Sequence, residues 1–334
     1  MLRKFKAEKG STTYRQVAAL LFAFLWGCGG GGGGGGGPAG LTPPPSTPVT
    51  VTATNATQVS ATALKPAVGG GGALGTVTGL ETTAAPQARA VTRALLAVAR
   101  DSQTQLSASQ GVVGAAAQTF QCAVSGSVTA DISADGTSGT FTFNACSDIA
   151  GETISGSASA TGVSAASDGS HFSGNFRVDI TFTVTGFAPL RIVGDFSIVE
   201  NCNTSNDCTH SFTGTSLGSQ QGNETWFITN FTINESLVNS TQNLTVTFNY
   251  TVSSTALNGS VTVITSTPFE GLASARHPST GVAVATGKNN SKVRVTVLGN
   301  DPTAPDQVKI EVDADGDGAY ESSTLYPWST LDAL

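Results

Sequence analysis

The residues best suited to chemistry are a run of carboxylates near the C-terminal end. Asp313, Asp315, Asp317 and Glu321 lie in the stretch Asp-Ala-Asp-Gly-Asp-Gly-Ala-Tyr-Glu. Carboxylates at every second position, followed by a glycine that permits a sharp turn, can surround a hard cation with oxygen ligands. Calcium is the ion that this spacing predicts for an occupied loop. The more ordinary interpretation is a hairpin tip without an ion, because Asp-Gly pairs are also common turn formers.

The first half of this loop resembles an EF-hand calcium loop and related Asp-rich loops. The resemblance implies a bidentate glutamate at the twelfth loop position. This chain has Thr324 there, and no helical pattern flanks the loop. Glu321 is therefore the residue expected to supply the missing carboxylate in a different arrangement.

Five cysteines form a second chemical set. Four of them, Cys122, Cys146, Cys202 and Cys208, are an even number in a chain that carries an export signal, which predicts disulfides rather than metal-thiolate chemistry. Four cysteines allow three connectivities. Alternating residues around a turn near residue 134 place Cys122 opposite Cys146. The same reasoning places Cys202 opposite Cys208 at the tip of the next hairpin.

The fifth cysteine, Cys28, follows the sequence pattern of an export signal. Basic residues come first, then the apolar run 17–25, and then nine glycines after the cysteine. The run is too short for a transmembrane helix but fits the apolar part of a signal peptide. Leu25-Trp26-Gly27-Cys28 resembles the lipobox of bacterial lipoproteins, and the chain resembles uncharacterised proteobacterial outer-membrane lipoproteins. The resemblance implies cleavage before Cys28, lipidation of its sulfur, and attachment to the outer membrane, on either its periplasmic or its surface face.

Changes in composition divide the chain into four segments. We expect a signal peptide at 1–27, a low-complexity flexible tether at 28–83, an amphipathic helix at 84–108 and a β domain at 109–334. The tether is rich in Gly, Pro, Thr and Ala, a composition that buries too little apolar surface to fold. One alternative within it is a short strand at 49–59 added to a sheet edge. In the helix, Val91, Leu95 and Val98 recur at helical spacing.

Period-two alternation predicts the fold class of the large segment. From Phe172 to Val184 every even position is apolar or glycine, and the odd positions are mainly polar. Similar segments follow one another with short turns and no intervening helices. The pattern predicts an all-β fold, an antiparallel meander of about a dozen strands that is curved or barrel-like. In the predicted register Val184 pairs with Leu190, and Gly156 lies opposite Phe182.

Composition excludes some functions and leaves others open. The net charge of −7 argues against nucleic-acid binding. No nucleophile motif lies between a strand and a helix, and a lone histidine such as His277 is expected at the surface, so we expect no enzyme. The expected role is a lipid-anchored envelope module that binds or scaffolds an unknown protein or lipid ligand. The alternatives are a transmembrane β-barrel and an envelope hydrolase. The barrel is disfavoured because four Tyr and three Trp are too few for two aromatic girdles.

Overall fold

A computed structural model describes residues 40–67 and 117–334, apart from short gaps at 134, 136, 148–149, 167–169, 187, 206, 273–274, 276 and 300–305. The predicted helix at 84–108 and the lipobox with Cys28 lie outside the described residues. Within the described part of the chain, no helix is long and apolar enough to cross a membrane.

The described chain forms one antiparallel meander of fourteen strands, in which every strand pairs with its neighbours in sequence. This confirms the predicted all-β meander. The sheet is not closed, since the edge strands β1 and β14 do not pair with each other. The strands are β1 (Gln118–Gln121), β2 (Ser125–Ile132), β3 (Gly139–Ser147), β4 (Glu152–Ala165), β5 (His171–Val184), β6 (Leu190–Cys202), β7 (Cys208–Gln221), β8 (Glu224–Val238), β9 (Asn243–Ser254), β10 (Gly259–Leu272), β11 (Thr280–Thr286), β12 (Lys292–Val297), β13 (Gln307–Asp313) and β14 (Ser322–Pro327).

Alternation along the strands separates a buried face from an exposed one. In β5 every even position from Phe172 to Val184 is buried, and the odd positions are exposed or half-buried. Because successive side chains of a strand point to opposite faces, apolar residues at every second position place one face of the sheet in the core. Fully buried examples from three neighbouring strands are Ile180, Ile192 and Phe212.

The predicted register is wrong by two residues in two hairpins, β4–β5 and β5–β6. Leu190 pairs with Phe182 instead of Val184, and Gly156 pairs with Ile180 instead of Phe182. A shift of two keeps every side chain on its face, so the buried set is unchanged. Pro189 has no N–H to donate beside Leu190, which favours the longer loop. Small residues still face large ones, and a Cβ at Gly156 would lie 2.2 Å from the carbonyl oxygen of Asp179.

The segment before the sheet corrects part of the predicted tether. Residues 56–64 form helix α1 (Ala56–Leu64), which is almost entirely buried and contacts strands β9 to β13 and the C-terminal helix α2 (Trp328–Asp332). The strand considered at 49–59 is reduced to a single parallel bridge between Pro48 and Ser260. The hydroxyl of Tyr250 donates a buried hydrogen bond to the carbonyl of Ala63. Residues 48–67 therefore belong to the folded domain, because small residues such as alanine allow the helix to lie close to the sheet.

Candidate metal centre

The Asp-rich loop connects the last two strands. It begins at Asp313, the final residue of β13, and runs to Glu321, just before β14. Its position at a hairpin explains the lack of helical flanks. Thr324, at the twelfth position of an EF-hand comparison, lies within β14 opposite Ile310. Thr324 therefore remains in the strand and does not return to the loop.

The structure brings the four predicted carboxylates together. One carboxylate oxygen from each of Asp313, Asp315, Asp317 and Glu321 lies within 4.8 Å of all the others. Calcium binds oxygens at about 2.3–2.6 Å, so ligands on opposite sides of one ion are separated by about 5 Å. The four oxygens thus lie close enough together to bind a single metal ion. Asp313 is fully buried and the other three are exposed.

Hydrogen bonds within the loop hold the carboxylates in place. The N–H of Gly316 donates to Oδ1 of Asp313 at 2.7 Å, and the N–H of Gly318 donates to Oδ2 at 3.1 Å. Oδ1 of Asp315 and Oδ1 of Asp317 each accept the N–H two residues later, as is typical of Asx turns. These bonds pre-order the loop, and they would do so in an ion-free hairpin as well.

The turn between β11 and β12 contacts the loop. Gly316 has a φ of +80°, and a Cβ there would lie 2.4 Å from the carbonyl oxygen of Asn289. Asn290 donates its side-chain N–H to the carbonyl of Gly316 at 3.0 Å. Glycine is therefore needed at this position for both the backbone conformation and the close approach.

One cation of the protein lies beside the carboxylates. Lys292 pairs with Asp313 across β12 and β13, and its Nζ lies 3.5 Å from Oδ2 of Asp313. Four carboxylates against one ammonium leave an excess of negative charge in the loop. Close to the loop, the guanidinium of Arg294 lies over the ring of Tyr320 at 4.0 Å and pairs with Glu311 at 2.8 Å. Sequence reasoning missed Lys292 because only strand pairing brings it next to Asp313.

Both predicted disulfides are confirmed. Cys122 is bonded to Cys146, and Cys202 to Cys208. The second pair lies directly opposite in the β6–β7 register, as predicted. The first pair forms differently from the expected hairpin, because the chain reverses after β1 instead of continuing as one strand. Gly126, with a φ of +77°, permits this reversal, and its carbonyl accepts the N–H of Cys122.

His277 is mostly buried, which corrects its expected surface position. Its Nδ1 lies 3.0 Å from Oδ1 of Asp306, and its Nε2 lies 3.1 Å from Oδ2 of Asp332. The imidazole also stacks on Trp328, with ring centroids 4.7 Å apart. Both ring nitrogens are engaged, so neither is available as a general base. The contacts tie the chain before β11 to helix α2.

Three further ionisable residues, which sequence reasoning did not predict, lie on the inward face of the sheet. They are Glu200 on β6, His210 on β7 and Glu235 on β8, and all three are buried. Burial raises the pKa of Glu235 from 4.5 to about 8. The sequence contained a signal for these residues. Each lies two positions from a buried apolar residue, namely Ile198, Phe212 or Ile233, so alternation along the strand places it on the same buried face.

No protein-family model matches this chain, and no curated protein is significantly similar to it. Any function must therefore be argued from the residues and their arrangement.

Proposed function

We propose that the chain is a lipid-anchored protein of the bacterial cell envelope, and that its β domain is a binding or scaffold module with a calcium ion in the loop 313–321. The observation that carries the calcium site is the convergence of four carboxylate oxygens within 4.8 Å. Calcium sites of extracellular modules commonly have dissociation constants of about 0.1–1 mM. The two disulfides support export to an oxidising compartment.

The surface of the sheet supports a scaffold or binding role. Its outward face carries many Ser, Thr and Asn side chains that bond across strands, such as Ser197 to Asn175 at 2.6 Å and Ser211 to Asn234 at 2.8 Å. Cross-strand polar pairs of this kind stabilise a sheet without adding charge. The same face carries ion pairs between Arg177 and Asp195 and between Arg191 and Asp179, so its charges offset one another, and such a face suits contact with a neutral protein or envelope surface.

In this proposal calcium stabilises the C-terminal edge of the sheet. An ion in the loop would offset the excess charge of the carboxylates and connect the β13–β14 hairpin to β12 through Asp313, which lies beside Lys292. At a calcium concentration ten times the dissociation constant, binding would stabilise the fold by about 1.4 kcal/mol.

Calorimetric titration of the full chain with calcium chloride tests this site. We expect one binding event with a dissociation constant of about 0.1–1 mM. Joint replacement of Asp315→Asn and Asp317→Asn should weaken binding at least about tenfold, because two of the four carboxylates are lost. Asp195→Asn, an exposed carboxylate on the outward face, is the matched control and should bind as the unchanged protein does. Absence of binding at millimolar calcium would refute the calcium site.

The anchor is tested separately in cells. Cys28→Ser should abolish incorporation of labelled palmitate, because the sulfur that would carry the lipid is lost, and with it the acyl chains that would anchor the protein. Gly29→Asp is the matched control. It should keep the label but hold the protein at the inner membrane, since Gly29 after the cysteine resembles an outer-membrane sorting signal. Palmitate labelling that survives Cys28→Ser would exclude this anchor.

A further inference from the structure

Glu200, His210 and Glu235 form a row across three neighbouring strands. In the register of the sheet His210 lies opposite Glu200 on one side and opposite Glu235 on the other. Their exposed fractions are only 6%, 4% and 3%. On one side the row is flanked by the disulfide Cys202–Cys208. On the other side it is flanked by apolar residues of the same strands, Ile198, Phe212 and Ile233. The three ionisable groups are thus enclosed by the core.

One half of the row is paired. Nε2 of His210 lies 3.2 Å from Oε2 of Glu200. When Glu200 is ionised, Nε2 carries the proton and donates it to the carboxylate. A neutral imidazole has one N–H, so this bond leaves a lone pair on Nδ1. Glu200 thus orients the ring and selects its tautomer.

The other half of the row has no partner. Nδ1 of His210, Oε1 of Glu235 and Oε2 of Glu235 are buried and make no hydrogen bond, so the imidazole and the carboxyl group of Glu235 do not bond to each other. Leaving a buried carboxylate unpaired costs several kcal/mol. Among the buried residues of the described chain there is no Lys or Arg that could offset the charge. A bound cation that accepts an electron pair from Nδ1 and from the carboxylate would remove this cost.

We propose that His210, through Nδ1, and Glu235, through its carboxylate, bind a divalent transition-metal ion inside the sheet. Imidazole and carboxylate together are the ligands of many zinc sites. The bond from Glu200 to the other ring nitrogen matches the carboxylate–histidine–metal arrangement that orients metal-binding histidines. Glu200 is a positioning residue in this site. The site is separate from the Asp-rich loop, so either can fail without the other.

Zinc titration of the chelator-treated full chain tests the proposal, with calorimetry and metal content after gel filtration as readouts. We expect one bound zinc per chain in the unchanged protein and in the joint Asp315→Asn and Asp317→Asn variant. Glu235→Gln should lose that zinc. Glu200→Gln should weaken zinc binding by about 10–100-fold, because the ring loses its orienting partner. No zinc in the unchanged protein, or equal zinc affinity in Glu235→Gln, would overturn the proposal.

A second measurement does not depend on how the variants fold. The chain has three histidines, so side-chain ¹⁵N resonances of His171, His210 and His277 can be resolved. One equivalent of zinc should shift the Nδ1 resonance of His210 and leave both resonances of His277 unchanged, because Asp306 and Asp332 engage its nitrogens. A zinc-dependent shift confined to His171, which is half-buried on the opposite face of the sheet, would place the ion elsewhere and also refute the site.

Discussion

Replacing Glu235 by glutamine is expected to remove a large part of the pH dependence of stability in the metal-stripped protein. Glu235 is almost fully buried, and burial raises its pKa from 4.5 to about 8. A carboxyl group whose pKa is higher in the folded state favours folding when it is protonated. Its stabilising effect is complete below the unfolded pKa of 4.5 and is lost as the pH rises through the folded pKa of about 8.

The magnitude follows from proton linkage. Between the two pKa values the folded protein keeps a proton that the unfolded chain releases, so the free energy of unfolding falls by about 1.4 kcal/mol per pH unit. Across the whole window Glu235 accounts for about 5 kcal/mol. Glutamine cannot ionise, so Glu235→Gln lacks this slope. Its buried amide adds only an offset that does not change with pH.

Urea unfolding followed by tryptophan fluorescence, at several values from about pH 5 to about pH 8 with chelator present, measures the effect. The other titratable groups of the row, Glu200 and His210, are present in both proteins, so the difference between the two unfolding free energies isolates Glu235. That difference should shift steadily in favour of the variant as the pH rises. A difference constant to within about 0.5 kcal/mol would show that Glu235 is not a buried neutral acid, and the reasoning would fail.

Three other perturbations test the remaining structure. Glu311→Gln should lower the free energy of unfolding by about 1 kcal/mol at neutral pH, because Arg294 and Lys309 lower the pKa of Glu311 in the folded protein. Urea unfolding should show this loss disappearing as the pH falls through the lowered pKa. Replacing both Cys122 and Cys146 by alanine should lower the free energy of unfolding by about 3.5 kcal/mol, and replacing both Cys202 and Cys208 by about 2.4 kcal/mol, because the first disulfide closes the longer loop. Thermal unfolding measures both values, and a larger loss for the second pair would contradict the loop-entropy account. Tyr250→Phe should cost about 1–3 kcal/mol and speed proteolysis within α1, because the buried carbonyl of Ala63 loses its donor; unchanged cleavage would argue against the packing of α1.

Much of the sheet was predictable because its information is local. Alternation in a segment such as 172–184 assigns each side chain to a face, whichever residue lies opposite. The pairing of Cys202 with Cys208 was predictable for the same reason, since the two residues are joined by a short hairpin. The register was not, because a shift of two residues preserves the buried face and changes only which residues are opposite, as for Leu190 with Phe182.

The packing of α1 was not predictable from local pattern. Alanine, serine and threonine in 56–64 read as a low-complexity tract, and they form a buried helix only because the sheet and α2 cover them. Helix stability in proteins comes mainly from such packing. Composition alone therefore assigned this segment to a flexible tether.

Residues close together in the chain were enough to predict the alternating strands, their buried face, the Cys202–Cys208 pair and the loop that gathers four carboxylates. The position of Lys292 beside Asp313 and the row of Glu200, His210 and Glu235 became visible only in the folded sheet. Those contacts join residues on separate strands, and strand pairing, which depends on the whole sheet, sets which of them meet. The lone pairs left unpartnered in that row are the feature that the sequence could not reveal.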